Sequence, residues 1–191
     1  MAVVKILGID PGLNRTGYGV VAAEGDRLRC VDFGVIAVPA GELPLRLGFI
    51  FERLAGVIRD AQPDRACIEE VFVNVNPKTT LLLGQARGAA ICAAVAAGLA
   101  LREHAALQVK KSVVGTGRAG KEQVQAMVQR LLGLAAPPPA DAADALACAI
   151  CDAHVDRMTR LTGTAWAGAS GRARRSRASW RARGVPGGGA G

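Results

Sequence analysis

The strongest constraint on the fold lies near the start of the chain, in the segment VVKILGIDPGLNRTGYG of residues 3–19. A β-branched apolar run that ends at Asp10 and continues into Pro11 and Gly12 predicts a buried strand, a turn and a second strand from about Thr16. A carboxylate at the end of such a strand is rigidly held yet reaches solvent, as a catalytic group requires. Because Asp also favours the start of turns, a turn cap and a functional acid both remain open for Asp10.

The rest of the chain predicts a mixed α/β order. Short runs rich in β-branched apolar residues predict strands. Apolar residues at helical spacing that end before a proline predict the first helix. The sequence strand, helix, strand predicts a right-handed crossover and a parallel neighbour for the first strand. The predicted strands are 16–23, 29–38, 65–70 and, weakly, 99–104; the predicted helices are 43–61, 78–100, 122–132 and 140–159, with 108–114 left open between helix and strand.

The positive charge is concentrated in the last part of the chain. The net charge is +8, and residues 157–191 hold eight arginines and no acid, so residues 1–156 are neutral overall. Within that neutral part, residues 78–130 carry eight basic and two acidic groups, whereas residues 131–156 carry four acids and no base. A basic segment between acidic ones favours an anionic partner such as nucleic acid.

Composition predicts one folded domain followed by a tail. A chain of 191 residues that is 50% hydrophobic can bury one core. Beyond Leu161 the composition turns to Gly, Ala, Ser and Arg, which predicts disorder. We therefore expect one folded domain over residues 1–158 and an Arg/Gly/Ala-rich disordered tail over residues 159–191.

Cysteine usage and the apolar segments indicate a cytoplasmic protein. Five scattered cysteines fit reduced thiols packed as small hydrophobes. Cys148 and Cys151 form a CxxC, but no second Cys/His pair stands at zinc spacing, so a metal site there is disfavoured. Lys5 interrupts the N-terminal apolar run, which argues against a signal peptide. The apolar region 80–100 is broken by polar residues, so we expect no membrane span.

Four acids are candidate metal ligands. Asp10 and Glu69 each close a predicted strand, and parallel neighbours would bring both to one edge of the sheet. Asp141 and Asp144 are three residues apart and share a helix face. Singly each has a structural explanation, such as the helix dipole for Asp141. Together they can supply oxygen ligands for two Mg²⁺ ions with an open side for phosphate.

The glycine-rich segment GTGRAGK resembles a phosphate-binding loop only in part. Residues 115–120 and Lys121 match the GxxxxGK pattern, but Glu122 replaces the Ser or Thr that would bind Mg²⁺. Nucleotide binding is therefore disfavoured. A flexible loop that places Lys121 near a phosphate backbone is the better interpretation of these residues. The basic cluster of Lys110, Lys111, Arg118 and Lys121 could neutralise phosphates near the acids, or could only form a solvated face.

An aromatic residue follows the Glu69 strand. Phe72, with Asn74 and Asn76 beyond it, could stack on an exposed base, but the residues alone favour a core position for it. His104 and His154 have no recognisable nucleophile partner in the sequence, so we expect structural roles for both.

Five motifs carry a family resemblance. IDPGLNRTGYG, CIEEVF, LGQARG, QVKKSVVGTGRAGKEQV and ADAADALACAI occur in this order and, over residues 3–158, resemble the RuvC Holliday junction resolvases. The resemblance implies an α/β, RNase H-like fold: a mixed five-stranded sheet with antiparallel hairpins at the N-terminus and helices on both faces. It also implies a homodimer that nicks four-way junction DNA in pairs with Mg²⁺, two ions in each active site, and that works with the RuvA and RuvB branch-migration proteins.

The resemblance assigns roles residue by residue. Residues 83–90 match the helix that relatives use for dimer contact, and Glu70 would point to the opposite strand face from Glu69. Phe72 matches the aromatic at the junction centre, which reverses the preference for a core residue. The family's catalytic and metal-binding acids fall on Asp10, Glu69, Asp141 and Asp144, and its DNA-binding lysines near the scissile phosphate fall on Lys110 and Lys121.

The implied chemistry is hydrolysis of a phosphodiester by metal-activated water in recombination and repair. One cation would activate the nucleophile and the other would stabilise the leaving oxygen. Sugar kinases and actin-like ATPases share the strand, Asp and glycine turn, but they need two such domains and the chain is too short. A protein that only binds junctions is disfavoured because all four acids are present.

Overall fold

The structure, a computed structural model, describes residues 2–70 and 76–163. The strands begin and end within two residues of their predicted limits. They are β1 (Val4–Asp10), β2 (Arg15–Glu24), β3 (Arg27–Ala37), β4 (Arg65–Glu69) and β5 (Ala100–His104). The helices are α1 (Leu43–Ala61), α2 (Pro77–Ala96), α3 (Ala106–Val114), α4 (Lys121–Leu132) and α5 (Ala140–Thr162).

The five strands form one mixed sheet in the order β3-β2-β1-β4-β5. β1 pairs antiparallel with β2, and β2 pairs antiparallel with β3. β4 lies parallel to β1 and to β5. The predicted crossover and the RNase H-like α/β fold are therefore confirmed. The loop after β1 and the carboxyl end of β4 meet at one edge of this sheet, as parallel strands require.

Strand alternation divides the core between the two faces of the sheet. On β1, Leu7 and Ile9 face α1 and α2, where they pack with Ile50 and Leu54. Ile6 faces the other way, into a cluster formed with α3, α4 and α5. Because side chains alternate along a strand, Asp10 lies on the same face as Ile6, beneath α5.

Two helix ends differ from the sequence prediction. The long helix was predicted to reach Ala100, but α2 ends at Ala96. Gly98 then adopts a φ of 78°, which reverses the chain, and Ala100 pairs with Arg65 of β4. The prediction of helix to residue 100 was wrong at its C-terminal end, because the alanine run continues the helical pattern past Ala96, whereas the weakly predicted strand 99–104 corresponds to β5. At the other end of the chain, α5 continues to Thr162, past the predicted residue 159.

The segment left open between helix and strand is the helix α3. It ends at Gly115, whose φ of 80° forms the C-cap, and α4 begins after Gly120. The backbone N–H of Gly120 donates to Gln123 Oε1 at 3.0 Å. The glycine loop therefore connects two helices, whereas a nucleotide phosphate loop connects a strand to a helix.

α2 is the single helix among residues 2–70 and 76–163 that is long and apolar enough to cross a membrane. Length and composition alone are weak grounds for a membrane span, since core helices of ordinary domains pass the same test. Ala86, Ala90 and Ala94 on one face of α2 pack into the sheet core, while Leu81 and Val95 are 65% and 59% exposed. α2 therefore packs against the domain on one side and presents an apolar surface on the other.

Candidate active site

Two of the candidate acids end neighbouring parallel strands. Asp10 is the last residue of β1 and Glu69 is the last residue of β4. The residues before them, Ile9 and Ile68, are register partners. Since Ile9 and Ile68 both pack against α1 and α2, the two carboxylates lie side by side on the opposite face, beneath α5.

Glycines let α5 approach the sheet closely enough to bring in the other two acids. Gly17 of β2 is the register partner of Asp10, and a Cβ atom at Gly17 would collide with the carbonyl oxygen of Asp141. A Cβ at Gly8 would collide with the carbonyl oxygen of Ala145 in the same way. The first turn of α5 therefore lies directly on β1 and β2 beside Asp10, a close approach that only glycine permits.

The turn after Asp10 is fixed by a buried threonine. Thr16 Oγ1 donates to the carbonyl oxygen of Gly12 at 2.9 Å and accepts from the N–H of Gly12 at 3.3 Å. Thr16 is fully buried. Next to it, Arg15 Nε lies 2.6 Å from Asp141 Oδ2, so the turn also contacts the start of α5. These contacts hold the β1–β2 turn and α5 in a fixed relation around Asp10.

The acids raise one another's affinity for protons. Burial raises the pKa of Asp10 from 3.8 to about 7, and the charges of Asp144, Glu69 and Asp141 contribute to that rise. The positive charge of Lys121 opposes it. Because like charges raise a carboxyl pKa only when they are close together, all four predicted acids belong to one electrostatic group.

The pKa values of Glu69 and Asp144 are shifted by burial, by the neighbouring acids and by the two lysines. Burial raises the pKa of Glu69, the charge of Asp144 adds to the rise, and Lys110 and Lys121 oppose it. Burial also raises the pKa of Asp144, where Lys121 and Lys110 again oppose the rise and Asp141 adds to it. Lys121 Nζ lies 3.9 Å from Asp144 Oδ2. The two predicted lysines therefore flank the four acids.

The donor chemistry of this group fits a divalent cation. Carboxylate oxygens are the ligands that Mg²⁺ prefers, and a cation would relieve the repulsion that raises the pKa of Asp10. Over residues 2–70 and 76–163, however, no three or more His, Cys, Asp or Glu side chains lie close enough together to hold an ion.

The other residues considered in the sequence lie apart from the four acids or outside the described part of the chain. Phe72 lies outside the described residues, so its place relative to the acids stays a prediction. His104 is buried, with Nε2 3.0 Å from Asp152 Oδ1, in keeping with the structural role expected of it. Cys148 and Cys151 are buried among apolar side chains. Burial raises the pKa of Cys151 to about 12, so its side chain stays a thiol at neutral pH.

A buried ion-pair network farther along α5 was missed from the sequence. Asp152 has no exposed surface; it accepts from Arg65 Nε at 2.5 Å and lies near Arg102. Burial raises the pKa of Asp152, but the hydrogen bond with His104 and the charges of Arg65 and Arg102 outweigh it and lower the pKa below its usual value. This network ties α5 to β4 and β5, the strands next to the site. Asp152 in the sequence ICDAHVD carries no local signal of these partners, which lie on other elements.

Residues 6–152 match the family described as crossover junction endodeoxyribonuclease RuvC. The chain belongs to the RuvC family. A relative so described from Bordetella parapertussis is 58% identical over 179 residues, which cover 91% of this chain and 98% of the relative. A second RuvC, from Burkholderia orbicola, is 59% identical over 151 residues, 79% of this chain and 84% of the relative.

The RuvC fold is also found among solved structures. The Thermus thermophilus RuvC in complex with a Holliday junction substrate is 35% identical, with a TM-score of 0.77, and the match covers 81% of this chain and 96% of that one. The predicted family and its fold are therefore confirmed.

Proposed function

We propose that this protein is a structure-selective endodeoxyribonuclease that resolves four-way DNA junctions by Mg²⁺-dependent phosphodiester hydrolysis. The observation that carries the proposal is the gathering of Asp10, Glu69, Asp141 and Asp144 at one sheet edge, where burial and mutual repulsion raise the pKa of Asp10 to about 7. Membership of the RuvC family supports the same activity, and the Thermus thermophilus relative is described in complex with a Holliday junction.

The four carboxylates would hold the metal. Two bound Mg²⁺ ions would polarise the scissile phosphate and lower the pKa of a water molecule that attacks in line. The Asp10 carboxyl, with a pKa of about 7, would lose its remaining proton as the site is loaded. Lys110 and Lys121 would offset the charge of the phosphate oxygens, as their opposing effect on the pKa of Glu69 indicates.

The two nicks require two copies of the site. A two-fold dimer presents equivalent sites to the opposed strands of a junction. We assign the dimer contact to α2 over residues 83–90 and the exposed apolar side chains around it, including Leu81 and Val95. Sedimentation of Leu81→Asp should show a monomer at concentrations where the unchanged protein is a dimer. Leu45→Asp, at an equally exposed leucine on α1, serves as the matched control.

Other parts of the proposal follow from the family resemblance. Phe72 would contact bases at the junction centre, and Phe72→Ala should weaken junction cleavage more than junction binding.

RuvA and RuvB would deliver the junction in the cytoplasm. The arginines of residues 159–191 would add nonspecific affinity for DNA. Truncation after Gly163, which leaves α5 complete, should then reduce the salt dependence of binding, and an unchanged salt slope would exclude that role for the residues removed.

The direct test compares a synthetic four-way junction with linear duplex of the same sequence, each with Mg²⁺ and with EDTA. We expect paired nicks in the junction that depend on Mg²⁺ and little cutting of the duplex. Equal cutting of both substrates, or cutting in EDTA, would contradict the proposal. The alternative of a protein that only binds junctions predicts binding without nicks under every condition. Asp10→Asn is the matched control, since it should bind the junction and leave it intact.

A further inference from the structure

An apolar groove lies between α3 and α5, away from the four acids. Its volume is about 500 Å³, and its walls include Leu107 and Lys111 of α3 and His154, Val155 and Met158 of α5. Leu107 is 56% exposed and Met158 is 43% exposed. Grooves of this volume with mainly apolar walls are of the size that takes a large side chain or a small ligand.

The α5 wall of the groove lies in the C-terminal half of that helix, from His154 to Met158. Leu161 follows Met158 by three residues, so it lies on the same helix face, and it is 70% exposed. Gly163 then forms the C-cap with a φ of 66°, and its N–H donates to the carbonyl oxygen of Thr159. A left-handed cap turns the chain away from the helix axis, and it lies five residues after Met158 of the groove wall.

The next residues have the composition that the groove requires. Residues 164–171, TAWAGASG, carry no charge and contain Trp166, whereas the arginines begin at Arg172. Three residues of extended chain from Gly163 reach about 10 Å. The helix rises only about 7.5 Å from Met158 to Gly163. Trp166 is therefore within reach of the groove wall at Met158.

We propose that residues 164–171 of this chain dock in the groove, with the Trp166 indole between Leu107 and Met158. An indole buries its apolar body and also attracts a cation to its face, and Lys111 supplies that cation in the groove wall. A second copy of the chain would supply the same segment only at a cost in association entropy that the tethered segment avoids. The occupant is therefore the segment that leaves α5 beside the groove.

Docking gives the arginine-rich segment a defined starting point. Residues 172–183 would leave the groove next to α3, the helix that carries Lys110 toward the acids. That consequence rests on the proposed function, since it matters only if the protein binds DNA. The docking itself does not depend on DNA and is tested without it.

The chain offers a direct probe because its two tryptophans are Trp166 and Trp180. In the full-length variant Trp180→Phe, all tryptophan emission comes from Trp166. We expect a blue-shifted emission maximum and iodide quenching several-fold weaker than that of free N-acetyltryptophanamide. In the reciprocal variant, Trp166→Phe, the emission of Trp180 should resemble that of the free compound and be quenched as strongly.

Variants of the groove separate docking from chance burial. Leu107→Asp in the Trp180→Phe background should shift the Trp166 emission to the red and restore quenching. Leu45→Asp, at an exposed leucine far from the groove, should change neither quantity. Circular dichroism should show both variants folded, and Leu107→Ser provides a milder change if the aspartate variant is unfolded.

Three outcomes would overturn the proposal. Solvent-like emission of Trp166 in the Trp180→Phe protein would show that the groove does not hold it and would leave a separate partner as the occupant. Protection that disappears on dilution would assign the groove to the tail of a second copy. Protection that survives both Leu107 variants would place Trp166 elsewhere on the protein.

Discussion

Replacing Asp10 with asparagine should stabilise the metal-free protein while it abolishes cleavage. Burial and three neighbouring acids raise the pKa of Asp10 from 3.8 to about 7. The folded state therefore binds a proton that the unfolded state has released, and folding stability falls as the pH rises from about 4 to about 7. Asparagine is uncharged and has a similar shape, so the folding stability of the variant should not fall over this pH range.

The size of the effect follows from the pKa change. A carboxyl pKa raised from 3.8 to about 7 corresponds to a penalty of about 4 kcal/mol above pH 7, and to less than half of that at about pH 5. Relaxation of the site and residual contact with water make this an upper limit. We expect Asp10→Asn to gain about 1–3 kcal/mol over the unchanged protein at about pH 8, and less at about pH 5.

The assay is urea denaturation in EDTA at the two pH values. Asp60→Asn is the matched control, because Asp60 is an exposed carboxylate paired with Arg59 at the surface and its loss should change stability little. Added Mg²⁺ should then stabilise the unchanged protein more than Asp10→Asn, since ligands raise the stability of the state that binds them. A stability difference between the unchanged protein and Asp10→Asn that does not grow with pH would refute the electrostatic account of the site.

Three further substitutions test how the site is built. Gly17→Ala should cost about 1–3 kcal/mol of folding stability by forcing α5 off the sheet, and it should reduce cleavage. The control is Gly48→Ala, where nothing lies within 4 Å of the added Cβ atom, so the protein should not be destabilised. Equal melting temperatures of the two variants would contradict this prediction. Lys110→Ala should lower the rate of cleavage. The neighbouring substitution Lys111→Ala, in the wall of the apolar groove, should leave that rate unchanged. Equal losses of cleavage in the two variants would contradict the assignment of Lys110 to the site. Asp152→Asn should cost about 1–3 kcal/mol in urea denaturation, because it removes the carboxylate closest to Arg65 and leaves Asp156, 3.4 Å from Arg65 Nη2, as the remaining partner. An unchanged free energy of unfolding would show that Asp156 and water replace the Asp152 carboxylate.

The sequence by itself determined the elements and the chemical character of the site. Hydrophobic alternation and turn residues placed Asp10 and Glu69 at the ends of strands, because these signals act over a few residues. The order strand, helix, strand then predicted that the two strands are parallel neighbours. The spacing of Asp141 and Asp144 put them on one helix face for the same reason. The motifs that hold these residues also indicated the family, since a motif is a pattern of neighbouring residues.

The tertiary structure alone decided how close these groups come. Arg15 and Asp141 are 126 positions apart, so no local pattern indicates that they form an ion pair. Gly17 has the sequence context of an ordinary strand glycine, and only the packing of α5 against its Cα atom shows why a side chain is excluded there. Asp152 has the sequence context of a surface acid, yet β4 and β5 bring arginines to it.

The opening strand shows the difference most clearly. Its sequence left Asp10 open between a turn cap and a functional acid. The pKa of about 7 depends on burial beneath α5 and on acids from β4 and α5, and desolvation and Coulomb interactions are set by distances through space. Local sequence therefore determines which residue ends the strand, and the packing of distant segments determines the electrostatic environment that makes this carboxylate a candidate catalytic group.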